Sequence, residues 1–149
     1  MIYSYIFLLL VLLVATVFDI KSKTIPIILI IISLPICAIL FYYNICKQKE
    51  SLYLSLLAFI PGLLIIILNL VKVKLIGLGD GFLLIFCAAC LTGRAFILAT
   101  CFSLLLCSFY SIFLIAVRHA NRKSTIPFSP FLLSGLICNG LLQISLYMI

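Results

Sequence analysis

Long apolar runs divide this chain, and only short clusters of charged and turn-forming residues separate them. The first run, residues 2–18 (IYSYIFLLLVLLVATVF), is about 17 residues long, just enough to cross a bilayer as a helix. A signal peptide is the competing reading, but no basic region precedes the run and no small-residue cleavage site follows it. Asp19, Lys21 and Lys23 close it. Thr24 and Pro26 then form a helix start, a capping hydroxyl followed by a proline whose missing N–H is harmless in a first turn. The second span covers about 25–43, with a kink expected at Pro35 and an interfacial aromatic pair at Tyr42-Tyr43. A polar loop carrying Lys47, Lys49 and Glu50 leads to the third span, about 52–71, with a kink expected at Pro61-Gly62. After Lys72 and Lys74 comes Gly77-Leu78-Gly79-Asp80-Gly81, and a fourth span ends near Leu91. That span has about 12 residues counted from Asp80 and about 17 counted from Leu75, short for ~30 Å of hydrocarbon. Asp80 is therefore expected below the membrane surface, or at the end of a half-span reached through a cleft. Thr92-Gly93-Arg94 makes a turn, the fifth span covers about 95–117, and the sixth runs from Thr125-Ile126-Pro127 to about Tyr147. Ser124 to Pro127 echoes Lys23 to Pro26 as a second helix start of the same kind.

Composition turns this pattern into a class. Of 149 residues, 67% are hydrophobic and 9% charged, more apolar surface than a water-soluble domain of this size can hide. The expected fold is all-α, one polytopic membrane domain over 1–149 with six transmembrane helices. Continuous rather than alternating apolar runs exclude a β-barrel, and no polar stretch is long enough to fold alone. The net charge of +7 sits in short loops, where it meets anionic lipid headgroups and sets topology; it does not indicate nucleic-acid binding. Lys21, Lys23, Lys72, Lys74, Arg118, Arg122 and Lys123 fall on one side, and Lys47, Lys49 and Arg94 on the other. The positive-inside rule puts the first group in the cytoplasm and both termini outside. Asp19 and Asp80 then share the cytoplasmic side.

The candidate chemistry lies in the acids, because only Asp19, Glu50 and Asp80 are Asp or Glu. A carboxylate at membrane depth is costly and points to function. Three glycines at alternate positions around Asp80 argue against an ordinary helix turn and for a backbone that bends and admits close approach. Residues 77–81 are thus read as a break before a helix, with Asp80 aimed at a wet cleft; the alternative is that Asp80 simply caps that helix. For Asp19 the alternative is a helix-end charge balancing Lys21 and Lys23. Two carboxylates on one face in a dry surround titrate as a unit. One can act as base on a water while the other, protonated, polarises a carbonyl. A single histidine, His119, leaves no Ser–His–Asp or Cys–His arrangement, and the acids make a poor metal set, so neither metal nor cofactor is expected. The seven cysteines lie mostly in apolar runs; Cys87-x-x-Cys90 has redox spacing but reads as helix packing.

These residues carry a resemblance. Asp19 followed by Ile25-Pro26, then Gly77-Leu78-Gly79-Asp80, then Ile126-Pro127-Phe128-Ser129-Pro130-Phe131, in this order and topology, resemble the type IV prepilin peptidases and archaeal preflagellin peptidases, membrane aspartic proteases with a Gly-x-Gly-Asp motif. The resemblance implies six helices, with Asp19 and Asp80 as the catalytic pair at the cytoplasmic face. Gly77, Gly79, Gly81, Pro26 and Pro127 would support the backbone. It implies no cofactor, residence in the cytoplasmic membrane, and a prepilin-like substrate of a pilus or secretion system, cut between its short basic leader and its hydrophobic helix. The chain looks like a minimal form without the cysteine-bearing N-terminal segment linked to N-methylation. It departs from the family pattern at Phe82, where Lys is common, and at Ile27, where Asn is common. The rival class is a non-enzymatic polytopic protein, either a pilus or secretion scaffold or a small proton-coupled transporter. The substrate pilin and the oligomeric state are not legible.

Overall fold

A computed structural model describes residues 2–22, 27–48, 52–71, 77–118 and 127–147. These form seven helical segments: α1 (Ile2–Ser22), α2 (Ile27–Gln48), α3 (Leu52–Leu57), α4 (Ile60–Leu70), α5 (Leu78–Cys90), α6 (Gly93–Arg118) and α7 (Ser129–Tyr147). There is no strand among the described residues. Among the described residues, three stretches are long and apolar enough to cross a membrane: Ser4–Lys21, Tyr53–Leu70 and Gly93–Val117.

Helices occupy the described parts of each expected apolar run, with shifted ends. The second helix continues past Tyr42-Tyr43 to Gln48, and Pro35 lies inside it without ending it. The third span does break, but at Ala58-Phe59 rather than at Pro61-Gly62. Proline clashes with the carbonyl four residues before it and leaves that carbonyl unbonded, so the disruption falls upstream of the ring. Pro61 itself sits in the first turn of α4, where its missing N–H costs nothing. The Phe59 N–H tightens the preceding turn by donating to the Leu56 carbonyl (3.1 Å). The last helix starts at Ser129, later than Thr125-Ile126-Pro127. Lys23, Thr24, Pro26, Lys49, Glu50, Lys72, Lys74, His119, Arg122 and Lys123 lie outside the described residues.

Helix α5 is the axis of the bundle. Gly81, Leu83, Leu84 and Phe86 to Cys90 are all buried, and α1, α2, α4 and α6 pack against it. A helix that is apolar all round belongs in an interior. The surrounding helices bury one stripe and expose the rest. Along α1 the buried positions are Ser4, Leu8, Leu12, Ala15 and Asp19, at helical spacing, while Ile6, Leu10, Leu13, Val17 and Ile20 face outward. Ser33, Cys37 and Asn44 line the inner face of α2. An exterior this apolar fits lipid.

Close backbone crossings and a few polar ties fix the helix positions. Gly62 of α4 meets Gly81 of α5: a Cβ on Gly62 would lie 3.0 Å from the Gly81 carbonyl and 2.8 Å from Ile85. Small residues of this kind let membrane helices approach. The Asn44 side chain of α2 donates to the Cys90 carbonyl at the end of α5 (2.9 Å), satisfying a terminal carbonyl that the helix cannot. Asn139 of α7 donates to the Ala95 carbonyl of α6. The last turns of α2 and α5 therefore lie together, and α7 runs back along α6.

Candidate active site

Asp19 is the last member of the buried stripe of α1 and is 7% exposed. It points inward with Leu12 and Ala15, not outward with Phe18 and Ile20. Its partner is Ser129, the first residue of α7, which is fully buried. The Ser129 hydroxyl donates to Asp19 Oδ2 (2.7 Å), and the Ser129 backbone N–H donates to the same oxygen (3.3 Å). The sequence marks Ser129 only as one residue of the stretch Ile126-Pro127-Phe128-Ser129-Pro130-Phe131, with no role of its own. The available signal was a hydroxyl residue at a helix start next to a proline. Pro130 has no N–H, so the second position of α7 leaves no donor to satisfy. Pro127 is half-buried just before this turn.

Asp80 lies in the first turn of α5, three residues after the capping Gly77. Gly77 is extended (φ −64°, ψ 141°) and has no side chain with which to cap. Asp80 reaches back instead: its carboxyl accepts a hydrogen bond from the Gly77 backbone, and its own N–H donates to the Gly77 carbonyl (3.1 Å). This is the acid half of a capping box. The glycine segment thus corrects one expectation. The break lies at Gly77 alone, because Gly79 and Gly81 are helical. Gly81 is there for the crossing with α4, where a Cβ would meet Ile66 at 2.9 Å and Ile65 at 3.2 Å. The structure says nothing of Pro26, which lies outside the described residues.

The two aspartates lie toward one end of the bundle, where α1 finishes and α5 and α7 begin, with α1 packed against both α5 and α7. Each also answers the N-terminus of a helix, Asp80 that of α5 and Asp19 that of α7. Helix N-termini carry unpaired N–H groups and partial positive charge, which favour carboxylates. This offsets much of the cost of holding two acids in an apolar surround.

Depth matters as well. Helix α5 has 13 residues, about 20 Å at 1.5 Å per residue, against ~30 Å of hydrocarbon. A carboxyl in its first turn sits within apolar surroundings while staying close to one end of the bundle. Cys87 and Cys90 are buried, and the thiol nearest Cys90 belongs to Cys37 of α2, at 3.6 Å.

Among the described residues the protein is a helical, strongly apolar bundle with Asp19 at the end of α1 and Asp80 at the start of α5. The type IV leader peptidase family matches residues 6–117, more than half of the chain, including both Asp19 and Asp80. The chain belongs to this family. The match ends before Ser129. No curated protein and no solved structure matches the chain.

Proposed function

We propose that this protein is an aspartic endopeptidase that removes the short basic leader of a prepilin-like substrate at the cytoplasmic face of the membrane. The observation that carries this reading is the convergence of Asp19 and Asp80, from α1 and α5, at one end of an apolar bundle in a chain of the leader-peptidase family. The bundle crosses the cytoplasmic membrane six times, with α3 and α4 together making one crossing and both termini outside. Lys21 and Arg118, near the ends of α1 and α6, belong to the basic set that the positive-inside rule puts on the cytoplasmic side.

In the reaction, one unprotonated carboxylate oxygen of the pair takes a proton from a water held between the aspartates. The resulting nucleophile attacks the carbonyl carbon of the scissile bond, and the proton on the other aspartate hydrogen-bonds the developing oxyanion. The tetrahedral species collapses with cleavage of the C–N bond. The nitrogen of the mature N-terminus takes a proton from the pair, which restores the starting state. A leader ending in an extended segment, followed by an apolar helix, would place its scissile bond where α5 begins. A substrate strand has to come close to the backbone there, and Gly77 and Gly79 have no side chain to obstruct it.

The test is co-expression with a prepilin-like substrate, reading leader loss by gel shift and N-terminal sequencing. Wild type, Asp19→Asn and Asp80→Asn would be run side by side with membrane insertion verified. Cleavage by wild type alone is the expected outcome. Cleavage that survives both substitutions would remove the aspartates from the chemistry. A substrate processed by none of the three points to a scaffold, and transport that depends on an ion gradient points to a proton-coupled carrier.

A further inference from the structure

Asp19 Oδ2 is not free to do chemistry. It accepts two hydrogen bonds from one residue, the hydroxyl of Ser129 at 2.7 Å and its backbone N–H at 3.3 Å. Both partners are buried. A backbone N–H can only donate, so Oδ2 is an acceptor toward Ser129, and a hydroxyl donating to the same oxygen favours its unprotonated form. Oδ1 has no partner among the described hydrogen bonds and is the oxygen left to exchange a proton. Asp80 is held differently, through the Gly77 backbone of its own helix and without a hydroxyl partner among the described hydrogen bonds. The two carboxyls are chemically unequal before any substrate arrives.

We propose that Ser129 is a positioning residue of the peptidase. It locks Asp19 Oδ2 as an acceptor and leaves Oδ1 as the oxygen that exchanges a proton with water or with Asp80. The inference rests on the aspartic-peptidase reading above. It adds a role for α7 and divides the work of the pair: Oδ2 anchors, Oδ1 reacts. The hydroxyl matters beyond the backbone contact because it is the shorter bond. It is also the only one of the two that a side-chain change removes, since every residue but proline keeps the N–H at position 129. A hydrogen bond to a charged group loses its orienting effect when the donor goes, and the carboxyl is then free to rotate about its terminal bond.

The experiment measures kcat and KM for the full-length protein in lipid nanodiscs. The substrate is a synthetic peptide with a basic leader ending in Gly, followed by an apolar helix. Ser129→Ala, Ser129→Thr, Asp19→Asn and Asp80→Asn are compared with wild type. Ser129→Ala is expected to lower kcat by roughly ten- to a hundred-fold, the usual worth of one hydrogen bond to a charged group, with KM within about twofold. Ser129→Thr, which keeps the hydroxyl, is expected to recover most of kcat. A purely structural hydroxyl would instead raise KM or lower the amount of folded enzyme without this split. Should the alanine variant fail to fold, Ser129→Cys is nearly isosteric and only a weak donor, and it carries the same expectation. Wild-type kcat in the alanine or cysteine variant, with both Asn variants inactive, would overturn the positioning role and leave the Asp pair standing. A threonine variant that is folded and as slow as alanine would overturn it too. Activity in both Asn variants would remove the Asp pair and this inference with it.

Discussion

Ser129, at the start of α7, is tied through its hydroxyl (2.7 Å) and its backbone N–H (3.3 Å) to a single oxygen of Asp19, near the end of α1. Asp19 is therefore the N-cap of a helix to which it does not belong. N-capping carboxylates usually come from the helix they cap; here the first helix supplies one to the last. The residue proposed for chemistry also holds two helices together, so its substitutions have to be chosen with care.

Asparagine and alanine at position 19 are expected to differ in stability and agree in activity. Asn keeps a carbonyl oxygen that can accept from Ser129, so Asp19→Asn should stay folded while cleavage drops by roughly 100- to 10,000-fold, the range for a general acid or base. Asp19→Ala leaves the Ser129 donors unanswered and should cost a further ~0.5–2 kcal/mol. Thermal unfolding in detergent, read beside the cleavage assay, checks both. Equal stability of the two variants would mean that the cap contributes nothing.

The α4–α5 crossing is expected to be less tolerant on the α4 side. A methyl at Gly62 would press on backbone, the Gly81 carbonyl at 3.0 Å and the Ile85 nitrogen at 3.1 Å, whereas at Gly81 the two nearest atoms belong to the side chains of Ile66 and Ile65. Side chains can turn away and backbone cannot. Gly62→Ala should cost about 1–3 kcal/mol, as overpacking does, and Gly81→Ala less. Because Asp80 adjoins Gly81, Gly62→Ala should also slow cleavage. A melting series on the two variants decides the order.

On α7, two glycines should respond in opposite directions. A Cβ on Gly135 would fall on the Ala99 carbonyl and 3.0 Å from the Ser103 nitrogen of α6, so Gly135→Ala must push the two helices apart. At Gly140 the nearest atom is a ring carbon of Tyr5 at 3.6 Å, ordinary contact. Gly140→Ala should be neutral or stabilising, by up to the ~1 kcal/mol that alanine gains over glycine in a helix. Unfolding midpoints of the pair test this directly.

Oxidative cross-linking checks the placement of α2 against α5. The Cys37 and Cys90 sulfurs are 3.6 Å apart and need only a small approach to reach the ~2.05 Å of a disulfide. Treatment with copper phenanthroline should link the tryptic peptides containing Cys37 and Cys90, and Cys37→Ser should abolish the link. A Cys87–Cys90 product in its place would mean that Cys87, not the thiol from α2, is the near neighbour of Cys90.

How much of this was legible in the sequence follows from what apolar runs can and cannot encode. The helices themselves were readable, since a run of about 20 apolar residues has few other uses. Asp19 and Asp80 could be marked as candidates because each sits at the edge of an apolar run. The inward face of α1 was not readable. Its residues are apolar on every side, and the stripe of Ser4, Leu8, Leu12, Ala15 and Asp19 emerges only when α5 and α7 pack against it. The glycine segment misled for a related reason: glycine marks both a bend and a close crossing, and Gly81 is a crossing. The break before Pro61 was displaced because a proline disturbs the turn behind it. Ser129 was missed because its partner lies a whole protein away in sequence.

That separation has a consequence for how the enzyme comes to exist. Asp19 and Ser129 are 110 positions apart. At translation rates of about 5–20 residues per second, α1 is in the bilayer for seconds before the residue that secures its aspartate has been made. A ribosome-bound or truncated chain that stops after α6 holds both acids and lacks the anchor for one of them. If the aspartate pair does the cutting as proposed, competence would come only once α7 has been made and docked against α1.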